Sequence, residues 1–401
     1  MKNEASIFSR TFSPAKLSLS SGEVFSGFAF GEEGTLDNPA KGEVVFNTSL
    51  YGYQEILTDP SYREQIMCFT NPHIGNVGCN DIDEESDSVH VAGVIIRDYP
   101  RLASNFRSQR SLNDYLREAR VCGIAGIDTR HLVAILREKG AQSGVIVSGE
   151  KATSLSDEDL VDLAREYRDK PPRDLVREVA CRTPYAFTEL PFRSLKAGYL
   201  KLTQEELLGR PHVVAIDCGI KRNILRLLLV HGFRVSVLPA TVSAEEIIAY
   251  KPDALFISNG PGDPSLLNYL VQSVRLMLGK VPIFGICLGH QVLAQALGGN
   301  TYKLKFGHRG GNHPVKDFTT DKIEITVQNH GYAVVPESFT HKADVKITHL
   351  NLNDGTIEGL DVPELNAYSI QYHPESSPGP HDSEYLFARF FKRVVRGAHN
   401  A

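Results

Sequence analysis

Two rhythms of apolar and polar residues divide the chain. From about residue 14 to 100 the apolar residues gather in short runs separated by turn residues, "EVFSGFAF", "GEVVFNTS" and "HVAGVII", with the acidic loop "NDIDEESDS" before the last of them. Such runs predict short strands. Helical spacing follows. "SLNDYLREA" and "DTRHLVAILREKG" open at the capping residues Ser111 and Asp128, and "SDEDLVDLAREYRDKPP" opens at Ser156 with Asp159 as its capping partner and closes at Pro171 and Pro172. An α+β N-terminal domain is expected over residues 1–190.

After a stretch of mixed polarity, read as a linker over 191–210, strand-like runs and amphipathic helical stretches alternate. "HVVAIDC" leads to "KRNILRLLLVHG", "RVSVLPA" to a capping box at Ser243 and Glu246 in "SAEEIIAY", "ALFIS" to a helix near 265–279, and "VPIFGI" to "HQVLAQAL", closed by Gly298 and Gly299. This alternation predicts an α/β domain over 211–398, an open, mostly parallel sheet with helices on both faces. The tail turns to hairpins, with "NDG" at 353–355 as a turn, then the strand "NAYSIQY" and a terminal helix.

Composition narrows the classes. At 401 residues and 42% hydrophobic content the chain can bury two substantial cores, and a net charge of −5 without a basic stripe argues against nucleic acid as a partner. The six cysteines form no C-x-x-C pair, so neither a zinc site nor a disulfide framework is expected, and a reducing, cytoplasmic setting fits. No leader-like apolar segment opens the chain and no run approaches the ~18 apolar residues of a membrane span.

Chemistry concentrates in three motifs of the second half. In "FGICLGHQ", Cys287 stands between Gly285 and Gly289 where a strand run gives way to a helix, the form of a nucleophile elbow with cysteine in place of serine. Its flanking glycines leave room for a tight turn, and the free N–H groups of the following helix favour a thiolate and an oxyanion. "QYHPE" places His373 and Glu375 after a later strand, a candidate base and its orienting partner. "ISNGPGDP" brings Gly260 and Gly262 to another strand end, where backbone amides can approach a ligand. His308, His313 and His330 follow no standard zinc spacing, so no metal is expected.

Taken in this order, the three motifs resemble the class I (triad) glutamine amidotransferases. With "KFGHRGGNHPV", "QNHGYAV", "HPESSPGPHD", "FNTSLYGYQEILTDPSY" and "NPHIGNVG", the resemblance extends over nearly the whole chain to the small, glutamine-hydrolysing subunits of carbamoyl phosphate synthetases. It implies that Cys287 attacks the amide of L-glutamine, that His373 moves protons and that Glu375 orients His373. The oxyanion amides are then those of Gly260 and Leu288, and Ser49, Gly260, Gly262, Leu288, Gln291, Asn329, Gly331 and Tyr332 surround the substrate. Position 332 is Tyr where the family often has Phe. Ser49 falls in the N-terminal half, so the site is expected at a domain interface.

No G-x-x-x-x-G-K-[ST] loop occurs, and no cofactor is expected in this chain. The resemblance implies a large synthetase subunit that uses ATP and magnesium and receives ammonia through a tunnel, with the N-terminal domain as the docking part and higher oligomers of the heterodimer compatible with it. An amidotransferase of another pathway does not explain the N-terminal motifs. A catalytically silent scaffold does not explain the presence of both Cys287 and His373.

Overall fold

The computed structural model describes residues 12–35, 38–150, 154–194, 197–339 and 344–399. The chain forms two compact units, one of residues 1–47, 64–81 and 91–171, the other of residues 48–63, 82–90 and 172–401.

In the first unit, β1 (Pro14–Leu19), β2 (Val24–Gly31), β3 (Ala40–Asn47), β4 (Gln65–Phe69), β5 (Gly93–Ile96), β6 (Cys122–Ala125) and β7 (Gln142–Ser148) close a barrel in the order β1-β2-β6-β5-β4-β3-β7. The period of two decides which core each side chain enters. On β7, Ile146 joins Leu17, Leu19, Ile66 and Ile124 together with Leu132 and Leu136 of the helix Thr129–Lys139. Its neighbours Val145 and Val147 instead meet Leu160 and Ala164 of the helix Asp157–Arg168. Ser111, Asp128 and Ser156 each cap their helix, Ser156 in a full capping box with Asp159.

The second unit holds β8 (Tyr185–Phe187), β9 (Glu189–Ser194), β10 (Gly198–Lys201), β11 (His212–Asp217), β12 (Arg234–Pro239), β13 (Ala254–Ile257), β14 (Ile283–Ile286), β15 (Thr301–Asp317), β16 (Lys322–Val334), β17 (Lys346–Asn351), β18 (Ile357–Val362) and β19 (Ala367–Ile370). Its main sheet runs β16-β15-β17-β18-β19-β14-β13-β11-β12-β8. The five strands β12, β11, β13, β14 and β19 are mutually parallel. Antiparallel pairing continues the sheet from β19 through β18, β17 and β15 to β16. Parallel strands covered on both faces are apolar throughout, and β11 sends Val213 and Ala215 to one layer and Val214 and Ile216 to the other. The first layer contains the helices Arg222–Val230 and Tyr385–His399. The second contains Ala244–Ala249, Asn268–Met277 and Leu288–Ala296.

Two expectations about boundaries change. The described residues of 191–210 carry regular structure: β9 pairs with β10, and Thr203 and Glu206 form a capping box on the helix Gln204–Leu207. Its mixed polarity is that of a ribbon with one face in solvent. Just before it, β8 adds an antiparallel edge to β12. Residues 48–63 and 82–90, placed by sequence in the N-terminal domain, belong to the second unit. Polar bonds tie these segments there: His90 N–H donates to Leu57 O at 2.9 Å, and Glu85 caps the helix Arg222–Val230 by accepting Arg222 N–H on its carbonyl (2.8 Å) and Asn223 N–H on its carboxylate (2.9 Å). The acidic loop is thus in part a helix cap, a suitable place for a carboxylate near a positive dipole end. Among the described residues no helix is long and apolar enough to cross a membrane.

Candidate active site

Three parallel strands deliver the site. β14 ends at Ile286, and Cys287 follows with φ 54° and ψ −104°, directly before the helix Leu288–Ala296. For a non-glycine residue that backbone is strained, and the neighbours enforce it. A Cβ on Gly285 would lie 2.5 Å from Gly289 O, and one on Gly289 would lie 2.1 Å from Ile257 O. Both flanking positions therefore require glycine. Cys287 Sγ, 2% exposed, lies 3.5 Å from the backbone carbonyl of Asn329.

β19 leads to His373 and Glu375, both buried, with His373 Nδ1 donating to Glu375 Oε1 at 2.6 Å. That bond turns Nε2 away from the carboxylate. Nε2 has no hydrogen bond of good geometry among the described atoms, while the Cys287 sulfur acts on the same ring. Burial opposes charge on His373, yet the charges of Glu375 and Cys287 raise its pKa to about 10. Burial likewise opposes charge on Glu375, but Lys221 and His373 hold its pKa down at about 2. Lys221 is the residue that sequence reasoning missed. At 2% exposure, its ammonium sits 2.9 Å from Glu375 Oε1. Burial lowers the Lys221 pKa, but the Glu375, Glu85 and Asp59 carboxylates outweigh burial and raise it. A lysine opening the helical run "KRNIL" reads as a surface charge, and no spacing signal links residue 221 to 375.

The remaining candidates gather around this core unequally. A Cβ on Gly260 would lie 2.9 Å from Leu288 Cδ2 and 2.1 Å from Cys218 O, so the Leu288 side chain packs beside Gly260. Gly262, with φ +89°, turns its α-carbon toward Leu175 instead. Gln291 donates through Nε2 to Tyr332 O at 2.9 Å and to Gln371 Oε1 at 3.1 Å, which fixes the orientation of its amide. Asn329 donates through Nδ2 to Asp59 Oδ2 at 2.8 Å. Asp59 also receives Asn259 Nδ2 at 3.3 Å and Ser61 N–H at 2.9 Å. Asp59 lies within the quoted stretch "FNTSLYGYQEILTDPSY", but nothing in the sequence singled it out.

Ser49 needs no domain interface to reach this neighbourhood. It is half-buried in the 48–63 segment of the same unit, where Thr48 N–H donates to Arg309 O at 3.3 Å and a Cβ on Gly311 would lie 3.6 Å from Ser49 Oγ. Arg309 pairs with Asn329 across β15 and β16, and a Cβ on Gly331 would lie 3.4 Å from Arg309 Nη2.

Behind these residues, His308, His330 and Glu358 each offer a ligand atom within 4.8 Å of the others. Most of their polar atoms already face protein partners. Glu358 accepts from Gln328 Nε2 (3.0 Å) and Asn351 Nδ2 (2.9 Å), and the His330 nitrogens face Tyr332 O (2.7 Å) and Gln328 Oε1 (2.9 Å). His308 Nε2 meets Asp354 at 2.8 Å; burial works against its charge, but Asp354 and Glu358 raise its pKa to about 9. A cation here would have to displace that network. As it stands, the network braces the backbone that carries Asn329, Gly331 and Tyr332.

Residues 214–393 match the family described as Glutamine amidotransferase class-I, and residues 17–146 match Carbamoyl-phosphate synthase small chain, CPSase domain. The chain is 53% identical over 376 residues to the carbamoyl phosphate synthase small chain of Syntrophotalea carbinolica, covering 94% of this chain and 96% of that one. It is 48% identical over 381 residues to the small chain of Ralstonia nicotianae, covering 95% and 97%. The small chain of Escherichia coli strain K12 is 47% identical over 381 residues, with coverage of 95% and 97%. The chain belongs to the carbamoyl phosphate synthase small-chain family, and its second unit carries the class I glutamine amidotransferase domain.

Proposed function

We propose that this chain hydrolyses L-glutamine and passes the ammonia to a large synthetase subunit, where ATP and magnesium are used to make carbamoyl phosphate in the cytoplasm. The observation that carries this reading is the buried line Lys221, Glu375, His373, ending beside a cysteine at a strained strand-to-helix turn. The N-terminal match to the small-chain family favours this pathway over another amidotransferase role.

Cys287 thiolate adds to the carboxamide carbon of glutamine, and the carbonyl electron pair moves onto oxygen, stabilised by the amides of Gly260 and Leu288. Protonated His373 gives its Nε2 proton to the departing nitrogen, the C–N bond breaks, and ammonia and a glutamyl thioester result. Neutral His373 then takes a proton from water as the hydroxyl adds to the thioester. The C–S bond breaks, glutamate leaves and the thiolate returns beside the imidazolium. Gln291, Asn329, Gly331 and Tyr332 line the substrate with Ser49, and Gly262 shapes the loop that presents Gly260. The first unit, residues 1–47, 64–81 and 91–171, serves as the docking part.

The test is exposure of the purified chain to an electrophilic glutamine analogue, with peptide mapping by mass spectrometry. Labelling confined to Cys287 and suppressed by excess glutamine is expected. Labelling at other cysteines that glutamine does not suppress would overturn the assignment.

A further inference from the structure

The terminal helix Tyr385–His399 carries Arg389, Lys392, Arg393 and Arg396 at spacings of three and four, so these cations share one flank. All four line a cavity of about 490 Å³ against β17, β18 and β19, a volume typical of small-molecule sites. None of its lining residues belongs to the site described above.

Only part of this charge is answered within the protein. Arg393 makes a two-pronged pair with Asp361 (2.9 and 2.8 Å). Arg389 donates to Thr319 Oγ1 at 3.2 Å and lies 3.6 Å from Asp317. Asp317 is fully buried and already accepts Thr319 N–H, Thr320 Oγ1 and the Tyr385 hydroxyl. Lys392 and Arg396 are exposed at the cavity and have no ion-pair partner among the described residues. His349, 1% exposed, lines the same cavity, with Nδ1 engaged by Thr348 Oγ1 at 2.8 Å and Nε2 facing the Asp317 carboxylate at 3.5 Å. The two exposed cations without an acidic partner are what an anion's oxygens would satisfy.

We propose that this cavity binds a small phosphate-bearing anion, a sugar phosphate or nucleoside phosphate, held by Arg389, Lys392 and Arg396. Guanidinium forks match phosphate oxygens in pairs. One of them is held in place for it: Arg389 lies over the Tyr385 ring at 5.1 Å. A half-open, concave site of this volume favours a small ligand over a flat protein contact.

The test is calorimetric titration of tripolyphosphate into the purified full chain and into its complex with the large subunit, with glutamine hydrolysis followed in parallel. One-to-one binding is expected, weakened at least about tenfold in a Lys392→Glu, Arg396→Glu double variant whose melting temperature and basal glutamine hydrolysis stay as they were. Both positions are exposed, so the variant should fold. No binding to the natural chain, or equal binding to both proteins, would overturn the proposal. So would weakened assembly with the large subunit at unchanged tripolyphosphate affinity, which would make the cavity a protein docking surface.

Discussion

Two strands of one parallel sheet each hand the chain to a cysteine: Cys218 follows β11, and Cys287 follows β14. Both sit at the carboxyl edge, where open α/β sheets place ligands. Their surroundings differ completely. Cys218 is fully enclosed, and burial, with Asp217 beside it, pushes its thiol well above the ordinary range. Its backbone N–H is tied to Ser258 Oγ at 2.9 Å. Cys287 stands at a left-handed turn beside a histidine whose protonated form is favoured by Glu375. Position at the strand end is thus shared, and the companion charges are what set the proposed nucleophile apart.

The strongest way to break this contrast is to exchange sulfur for oxygen at each turn. Cys287→Ser is expected to lower glutamine-dependent carbamoyl phosphate synthesis by at least about three orders of magnitude while the complex keeps its ammonia-dependent rate. Cys218→Ser should retain the glutamine-dependent rate and lose about 1–3 kcal/mol of stability for burying a hydroxyl. Equal loss of synthesis in the two variants, measured side by side, would erase the distinction.

The next largest effect concerns the support behind His373. Lys221→Met leaves the fully buried Glu375 carboxylate with one charged partner instead of two, and breaking such a pair costs about 3–5 kcal/mol. Chemical denaturation should show that loss. Adding Glu375→Gln should recover part of it, because the carboxylate that Lys221 contacts directly is then no longer left unpaired. A double variant no more stable than Lys221→Met would mean that the ammonium does not stabilise the triad.

These companions also show which parts of the site could be read from the chain. Gly285, Cys287 and Gly289 were legible because the turn's steric demand is local: the clashing atoms, Gly289 O and Ile257 O, follow from one strand-turn-helix step beside one neighbouring strand. The barrel helices were legible for the same reason, since Ser111, Asp128 and Ser156 cap helices that begin at the next residue. Lys221 was not, because its partner lies 154 residues away and burial alone separates it from an ordinary helix-end lysine. Residues 48–63 fall in the second unit, tied there by bonds between distant residues that leave no local pattern, as Asp59 makes with Asn259 and Asn329. Ser49 rested on resemblance alone.

The pH dependence sharpens the comparison further. His373 is raised from 6.5 to about 10, so its charged form contributes stability below pH 6.5, and that contribution is lost as pH rises through about 10. Glu375 is lowered from 4.5 to about 2, so its contribution is present above pH 4.5 and is lost as pH falls toward about 2. In the proposed reaction, ammonia departure uses the imidazolium. Glu375→Gln removes the largest charge that favours it, so the alkaline limb of glutamine turnover should move to lower pH, and the maximal rate should fall by about 10–100-fold. Cys218 is not among the charges acting on His373, so Cys218→Ser should leave that limb in place. An unshifted limb in Glu375→Gln would detach the carboxylate from the base.

The smallest effect tests the turn that holds Cys218. Ser258 is fully buried; its hydroxyl accepts Cys218 N–H and donates to Asn259 O at 2.8 Å, so one side chain satisfies two backbone groups. Ser258→Ala orphans both, at a cost of about 1–3 kcal/mol. Alkylation of Cys287 by iodoacetamide depends on the thiol and the charges around His373, none of which involves Ser258, and its rate should change by less than about twofold. Unequal responses of stability and alkylation would place the two strand ends under separate control: hydrogen bonds hold Cys218 in an inert turn, while a strained backbone and a paired histidine keep Cys287 ready. A matching fall in alkylation would show instead that the loop from Ser258 to Gly260 transmits the condition of one cysteine's turn to the other, and the contrast would then lie in degree rather than in kind.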